Sequence, residues 1–211
     1  IFGQTDTNTG KGGTGPVTTI TTDDAINIGS TNAITGAGIV FNGGSSQLTV
    51  STTNDNVRLN GAVTLDSDLR IQTGSGSGDI NFTKSATINS QANESNNLVL
   101  NSGTGSVLFN ANIGTALHGR LGFLTVGTAD AILFGQPASA GADAGFVTLV
   151  QTNDAIDLGV AVLGSDDSVD VRQWSVSTEL SAVEFGGSFE AGDTMLEFAG
   201  RDTWPDATDT G

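Results

Sequence analysis

Apolar residues recur along this chain as pairs separated by one residue, which is the pattern of a short strand with one buried face. Residues 97–113, NLVLNSGTGSVLFNANI, contain one complete unit of this pattern. Leu98 and Leu100 form its first pair, Val107 and Phe109 its second pair, and Ile113 follows as a single apolar position. Gly, Asn, Asp and Ser fill the intervals, so each unit predicts three short strands joined by turns.

The unit repeats along most of the chain, with the second pairs starting 23 to 27 residues apart. The first pairs are Leu48/Val50, Leu69/Ile71, Leu98/Leu100, Leu124/Val126, Val147/Leu149 and Trp174/Val176. The second pairs are Val57/Leu59, Ile80/Phe82, Val107/Phe109, Ile132/Phe134, Ile156/Leu158 and Val183/Phe185. The third positions are Val63, Ala86, Ile113, Ala138, Val162 and Phe189. Three strands in a fixed order are typical of one coil of a solenoid.

We therefore predict an all-β fold, a parallel β-helix (β-solenoid) of about six coils. Like positions should stack in vertical files about 4.8 Å apart. Val57, Ile80, Val107 and Ile132 should then occupy one file of one sheet. The alternative is an antiparallel β-sandwich or jelly roll, because short strands at regular spacing also occur in that class.

The pattern divides the chain into three parts. Residues 1–17 form a Gly/Thr arm, residues 18–198 a solenoid domain, and residues 199–211 an acidic tail. Within the solenoid, residues 18–47 follow the repeat poorly, and we interpret them as a degenerate first coil or cap. The chain begins at Ile1 without a signal sequence, which indicates a processed product or an excerpt of a longer protein.

The amino-acid composition favours β-strands over helices and limits the classes of molecule that the chain could bind. Gly, Thr and Ser are abundant and strong helix formers are scarce. A formal net charge of −16 disfavours nucleic acid and anionic lipid, and no apolar run is long enough for membrane insertion. The absence of Cys excludes disulfides and thiolate chemistry. We expect an extracellular or cell-surface protein.

The segments NLVLNSGTGSVLFNANIGTALHGRLGFLTV and GSGSGDINFTKSATIN resemble the β-strand repeats of bacterial surface proteins. The family is the filamentous-haemagglutinin and autotransporter-passenger type, and the resemblance covers about residues 48–165. It implies a right-handed parallel β-helix, export from the cell, and a role in adhesion or surface structure.

No arrangement of residues predicts catalysis or a bound cofactor. Gly10, Gly12 and Gly15 match a dinucleotide-loop pattern, but no strand precedes them and no helix start follows. His118 is the only histidine, which excludes a site with several histidine ligands. Paired carboxylates are weak candidates for Ca²⁺, which oxygen ligands bind; the alternative is solvated acidic turns. These candidates are Asp66, Asp68, Asp166, Asp167 and Asp170.

The residue between the two members of each second pair should point outward. Four of these residues are polar or charged: Arg58, Asn81, Asp157 and Glu184. Leu108 and Leu133 are apolar, and we expect Val99 in the same region. An apolar outward patch is typical of a covered surface. We hypothesise that a terminal segment of this chain or a neighbouring copy packs there, the alternative being simple exposure.

The ends of a solenoid expose unpaired backbone groups, which favours the addition of a strand from another copy. We therefore predict a non-enzymatic, head-to-tail homopolymer that forms an extracellular filament or sheath. The alternative is a segment of an adhesin that binds a surface glycan or protein, and a polysaccharide-active enzyme ranks below both. The predicted subunit-interface residues are Ile1, Phe2, Val99, Leu108, Leu133, Leu196, Phe198 and Trp204.

Overall fold

The computed structural model is a parallel β-solenoid, which confirms the predicted fold class. It describes residues 16–29, 32–136, 141 and 143–158, together with the strand backbones of Ser168–Asp170, Glu184–Glu190 and Met195–Glu197. Within the described residues, no helix is long and apolar enough to cross a membrane. Every strand pairing is parallel, so the chain advances from one coil to the next along a single axis.

Among the described residues the first sheet contains seven strands, each paired with its counterparts in the neighbouring coils and the two outermost on one side only. With strands numbered along the chain, they are β1 (Thr19–Thr21), β4 (Leu48–Ser51), β7 (Leu69–Gln72), β10 (Leu98–Asn101), β12 (Leu124–Thr128), β14 (Leu149–Asp157) and β16 (Glu184–Glu190).

The second sheet also contains seven strands. They are β2 (Ile26–Ile28), β5 (Val57–Leu59), β8 (Ile80–Phe82), β11 (Ser106–Phe109), β13 (Ala131–Phe134), β15 (Ser168–Asp170) and β17 (Met195–Glu197). Val57 pairs with Ile80, Ile80 with Val107, and Val107 with Ile132. These four residues therefore form the single file that the sequence predicts.

The third sheet is shorter and closes the coil. Its strands are β3 (Ile34–Phe41), β6 (Gly61–Leu65) and β9 (Ile88–Ser90), and isolated bridges extend it through Ile113 to Val150. Val63 and Ile113 occupy this file as predicted, but Ala86 does not. Ile88, two residues later, pairs with Val63, because Ala86 lies in the turn where its N–H bonds to the Thr83 carbonyl.

Residues 18–47 supply one strand to each sheet. Ile26 pairs with Val57, and Ile39 pairs with Val63. The four coils that follow, from Leu48 to Phe134, are the most regular part of the molecule.

The predicted register is wrong after Phe134. Ile156 and Leu158 were assigned to the second sheet, but Ile156 pairs with Leu124 of the first sheet. Val169 of β15 takes its place beside Ile132. The physical reason is the long connection between β13 and β14, which delays the return of the chain to the stack.

Two further assignments change with that register. Phe189 pairs with Ile156 in the first sheet, whereas it was predicted at a third position. Phe185 pairs with Val150, which continues the third file, whereas it was predicted in the second sheet. Trp174, Val176, Ala138, Val162 and Val183 lie outside the described residues.

The core consists of the stacked inward residues, which are almost fully buried. Phe82, Phe109 and Phe134 form one column, with ring centroids 5.4 and 5.1 Å apart and interplanar angles of 9° and 14°. These separations follow from the rise of about 4.8 Å between paired strands. Each ring therefore packs on its equivalent in the next coil.

Buried hydroxyl groups close the turn from the first sheet to the second in three successive coils. Thr52, Thr73 and Ser102 donate hydrogen bonds to the carbonyls of Asp55, Gly78 and Gly105. The last two bonds measure 2.6 and 2.8 Å. Because a buried hydroxyl must be hydrogen-bonded, the same polar position recurs in the sequence of each turn.

Replacing Phe109 by Ala should lower the free energy of unfolding by about 3–5 kcal/mol, because the change leaves a cavity between two stacked rings. Urea denaturation followed by circular dichroism measures this loss. Leu117→Ala is the control, since Leu117 is 83% exposed and should tolerate truncation. Equal stability of the two variants would contradict the stacked column.

Replacing Gly114 by Ala should also destabilise the protein. Gly114 has φ = +70°, and an ideal Cβ there would lie 2.0 Å from the carbonyl oxygen of Gln151 in the next coil. Gly36→Ala is the matched control, since Gly36 has φ = +76° with nothing within 4 Å of its Cβ position. A larger loss at Gly114 in the same denaturation assay is expected; similar losses would show that backbone strain alone matters.

Candidate functional site

The outward side chains of the second sheet form a vertical row. Asn27, Arg58, Asn81, Leu108 and Leu133 pair in succession on β2, β5, β8, β11 and β13. All five are at least partly exposed, because each stands between two inward-facing residues of a strand that alternates its faces. The predicted outward orientation of Arg58, Asn81, Leu108 and Leu133 is confirmed.

Three other residues predicted for this region lie in the first sheet. Val99 pairs with Arg70 and Thr125, so it is not on the face that carries Leu108 and Leu133. Asp157 pairs with Thr125, and Glu184 pairs with Leu149. The assignment of Asp157 and Glu184 to the outward row is therefore wrong, for the same reason as the register error after Phe134.

The long connection between β13 and β14 packs back over this outward row. Its described part near the row comprises Gly135, Gln136 and residues 143–147, and we call it the return segment. Gln136 N donates to the Gly145 carbonyl at 3.0 Å, and Lys84 N donates to the Asp143 carbonyl at 3.3 Å. The first bond joins the two parts of the segment, and the second attaches the segment to the turn that follows β8.

Asp143 makes the main polar contact between the return segment and the sheet. Its carboxylate accepts hydrogen bonds from Arg58 Nε at 2.8 Å and from Asn81 Nδ2 at 3.0 Å. Arg58 Nη2 contacts the other carboxylate oxygen in an ion pair. Paired contacts of this kind fix the planes of both groups, so a residue 85 positions along the chain holds Arg58 in place.

The electrostatics of the pair follow from these contacts. The hydrogen bond and charge of Arg58 lower the pKa of Asp143 below its ordinary value, against the opposing effect of partial burial. Asn81 and Lys84 act in the same direction as Arg58. The hydrogen bond that Arg58 donates to Asp143 raises the pKa of Arg58, against the opposing effect of partial burial. Both groups are therefore ionised at neutral pH, and Arg58 Nη1 also donates to Asn27 and to the Gly29 carbonyl.

A cavity of about 420 Å³ lies between the outward row and the return segment. Seven of its ten lining residues are polar, and Leu108, Ile26 and Ala25 add apolar surface to the walls. The polar lining residues are Asn27, Asn56, Arg58, Asp79, Asn81, Gln136 and Asp143. Asn110 lies buried behind the cavity and donates to Asn81 Oδ1 at 3.2 Å and to Gln136 Oε1 at 2.9 Å, which orients both amides.

A second cavity, of about 590 Å³, lies beside the loop that contains His118. Glu94, Leu117, Arg120 and Asn153 contribute to its walls. His118 has a left-handed backbone conformation with φ = 59°, and its carbonyl accepts a bond from Asn93 N at 3.0 Å. The structure thus places His118 in a turn.

The acidic residues considered for Ca²⁺ have protein partners where the structure describes them. Both carboxylate oxygens of Asp68 accept bonds from Asn97, at 2.8 and 3.2 Å. Asp66 accepts a bond from Asn42, while burial and the charge of Glu94 raise its pKa. Within the described residues, no group of three His, Cys, Asp or Glu side chains is placed to hold a metal ion.

The remaining candidates can be placed only in part. Asp170 pairs with Leu133 and Glu197, and Leu196 lies in β17, the outermost strand of the second sheet. Ile1, Phe2, Phe198, Trp204, Asp166 and Asp167 lie outside the described residues.

The sequence analysis missed Gln136 and Asp143, which complete the cavity. The repeat conceals them, because it predicts a third position at Ala138 and a first pair at Val147, with no room for a long connection. Because the return segment has no apolar alternation of its own, nothing in the pattern indicates where it packs.

The ion pair predicts a specific dependence of stability on pH. Because the folded pKa of Asp143 is lowered, its contribution is present above the unfolded value of about 4 and is lost as pH falls through the folded pKa. Asp143→Asn should therefore lower stability at pH 7 by about 1 kcal/mol, with a smaller difference from wild type below about pH 4. Asp154→Asn, at an exposed carboxylate, is the control in urea titrations at both pH values. A constant difference across pH would contradict the pairing.

No family model, no curated protein and no solved structure matches this chain.

Proposed function

We propose that this chain is a non-enzymatic structural protein of the bacterial cell exterior. Copies join head to tail by strand addition and form an extracellular filament or sheath. The observation that carries the proposal is the open edge of the first coil, where β1 and β2 are the outermost strands of their sheets. None of the described strands pairs with their outer edges.

The hydrogen-bonding groups on that edge can be identified from the pairing. Thr49 N donates to the Thr18 carbonyl, and Thr22 N donates to the Ser51 carbonyl. Alternate residues of a parallel strand bond to opposite neighbours, so the N–H and C=O groups of Thr19 and Thr21 face away from the stack.

The same argument applies to β2. Ile26 N donates to the Asn56 carbonyl, and the Ile28 carbonyl accepts from Asn60 N. The backbone groups of Asn27 therefore point outward, as those of Thr19 and Thr21 do. A strand laid along this edge would find a row of unpaired donors and acceptors in both long sheets.

Apolar surface at the same end supports the proposal. Ile20, Ile26 and Ile28 are only partly buried, whereas their counterparts one coil later, Val50, Val57 and Leu59, are at most 2% exposed. Covering the first coil with another would bury these residues as well. Apolar burial of this kind is the main favourable contribution to protein association.

The parallel pairing decides which ends can meet. β16 and β17 are the outermost strands at the opposite end, and they run in the same direction as β1 and β2. The β16/β17 end of one copy can therefore pair in parallel with the β1/β2 end of another copy and continue both long sheets. Repetition of this contact produces an open polymer. Leu196 lies at this end. Ile1, Phe2 and the Gly/Thr arm are proposed to insert into the neighbouring copy.

The alternative function is that of an adhesin segment, and the cavity behind the return segment favours it. Its amide and carboxylate groups are held in fixed positions and can bind a polar group of a receptor, whereas the surface of an inert filament needs no such groups. This candidate predicts monomers that bind a surface, whereas the filament predicts polymers.

Assembly can be tested by removing an outward donor from β1. Thr21→Pro deletes an N–H that faces the open edge and leaves the bonds to β4 intact, a position at which edge strands tolerate proline. We expect wild-type protein to form concentration-dependent polymers in negative-stain images and in sedimentation, and Thr21→Pro to remain monomeric. The assay belongs at about 0.15 M salt, where the Debye length is about 8 Å and repulsion between acidic copies is screened.

Thr125→Lys is the control, because Thr125 lies on β12 in the interior of the first sheet. Circular dichroism verifies that each variant is folded. Wild-type protein that stays monomeric at every concentration would refute the filament, as would undiminished polymers from Thr21→Pro.

A further inference from the structure

We propose that the cavity between the second sheet and the return segment binds a neutral saccharide. Sugar binding would not depend on assembly of the filament, because one chain supplies every residue that lines the cavity. It rests on the free hydrogen-bonding groups of the cavity, its charge and its preformed geometry.

Several polar groups that line the cavity keep hydrogen-bonding capacity. Asn56 uses its amide oxygen to accept from Asp79 N, and Asp79 uses one carboxylate oxygen to accept from Ser106 N. Gln136 uses its amide oxygen to accept from Asn110. The amide nitrogens of Asn56 and Gln136 and the second oxygen of Asp79 have no partner among the described residues.

These free groups match the chemistry of sugar hydroxyls. A hydroxyl both donates and accepts, so it can accept from an amide N–H₂ group and donate to a carboxylate oxygen. Asn27 adds a third amide nitrogen without a partner among the described residues. Leu108 and Ile26 provide apolar wall surface on which the C–H face of a sugar ring can pack.

The charge of the cavity selects against anionic sugars. The positive charge of Arg58 is met by Asp143, and Asp79 adds a second negative charge. The chain as a whole carries a formal charge of −16, which repels uronic acids and sulfated glycans. Arg58 also donates to Asn27 and Gly29, so its guanidinium is already engaged by the protein.

The cavity is organised before any ligand arrives. Arg58 and Asn81 are held by Asp143, while Asn81 and Gln136 are held by the buried Asn110. A ligand therefore meets side chains that have already lost their rotational freedom, which reduces the entropic cost of binding.

The same contacts favour binding over hydrolysis of a glycosidic bond. Hydrolysis by two carboxyl groups needs one of them protonated near neutral pH, in a setting that raises its pKa. Arg58 lowers the pKa of Asp143 instead. Asp143 therefore orients Arg58 and Asn81 and does not serve as a general acid.

The proposal is tested by ligand-observed NMR on the purified chain, with cellobiose and N,N′-diacetylchitobiose as neutral probes. Digalacturonate serves as the anionic probe and glucosamine as the cationic probe. Saturation transfer from the protein to at least one neutral disaccharide is expected, with millimolar affinity because the described walls contain no aromatic side chain. Weaker transfer is expected to digalacturonate, which the net negative charge of the cavity repels.

The double variant Asn56→Ala/Gln136→Ala should reduce the neutral-sugar affinity at least fivefold. Asn153→Ala is the matched control, because it removes an amide from the other cavity. Absence of transfer to both neutral sugars, preference for a charged probe, or equal affinity of the double variant and the control would overturn the proposal. Each measurement is made below the concentration at which polymers are detected, so a negative result leaves the assembly test unaffected.

Discussion

The structure depends on the match between equivalent side chains in successive coils. Parallel pairing places each coil at a fixed rise above the last, so every inward position must pack on its own counterpart. The column of Phe82, Phe109 and Phe134 satisfies this condition with nearly parallel rings. Buried polar side chains recur in the same way: the hydroxyls of Thr73 and Ser102 hold equivalent positions in successive coils, and each donates a hydrogen bond that closes the turn of its own coil. A single coil could bury neither its rings nor its hydroxyls.

This constraint explains why so much of the fold could be predicted. A residue type that must stack on itself recurs in the sequence, and the recurrence from Leu48 to Phe134 is sufficient to place four coils. Spacing alone is not sufficient for the third file, where it predicts Ala86 but the structure places Ile88. Both residues are buried, so hydrophobicity cannot decide which of them lies in the strand and which in the turn.

The register after Phe134 and the candidate site could not be predicted for a related reason. Ile156 follows Ile132 by an interval that fits the repeat, yet it belongs to the first sheet. The return segment makes long-range polar contacts through Asp143, and such contacts leave no periodic trace. The row that carries Arg58 and Asn81 was predictable from alternation. The residues that enclose it were not.

The contact between Asp143 and Arg58 has a mechanical consequence. Backbone bonds join each coil only to its neighbours, so tension along the axis would ordinarily detach coils one at a time from an end. Asp143 follows β13 but is bonded to β8 and β5, which lie two and three strands earlier in the second sheet. The intervening layers are thus clamped together and should yield as one block, with a single large step in extension where an unclamped stack would give several small ones.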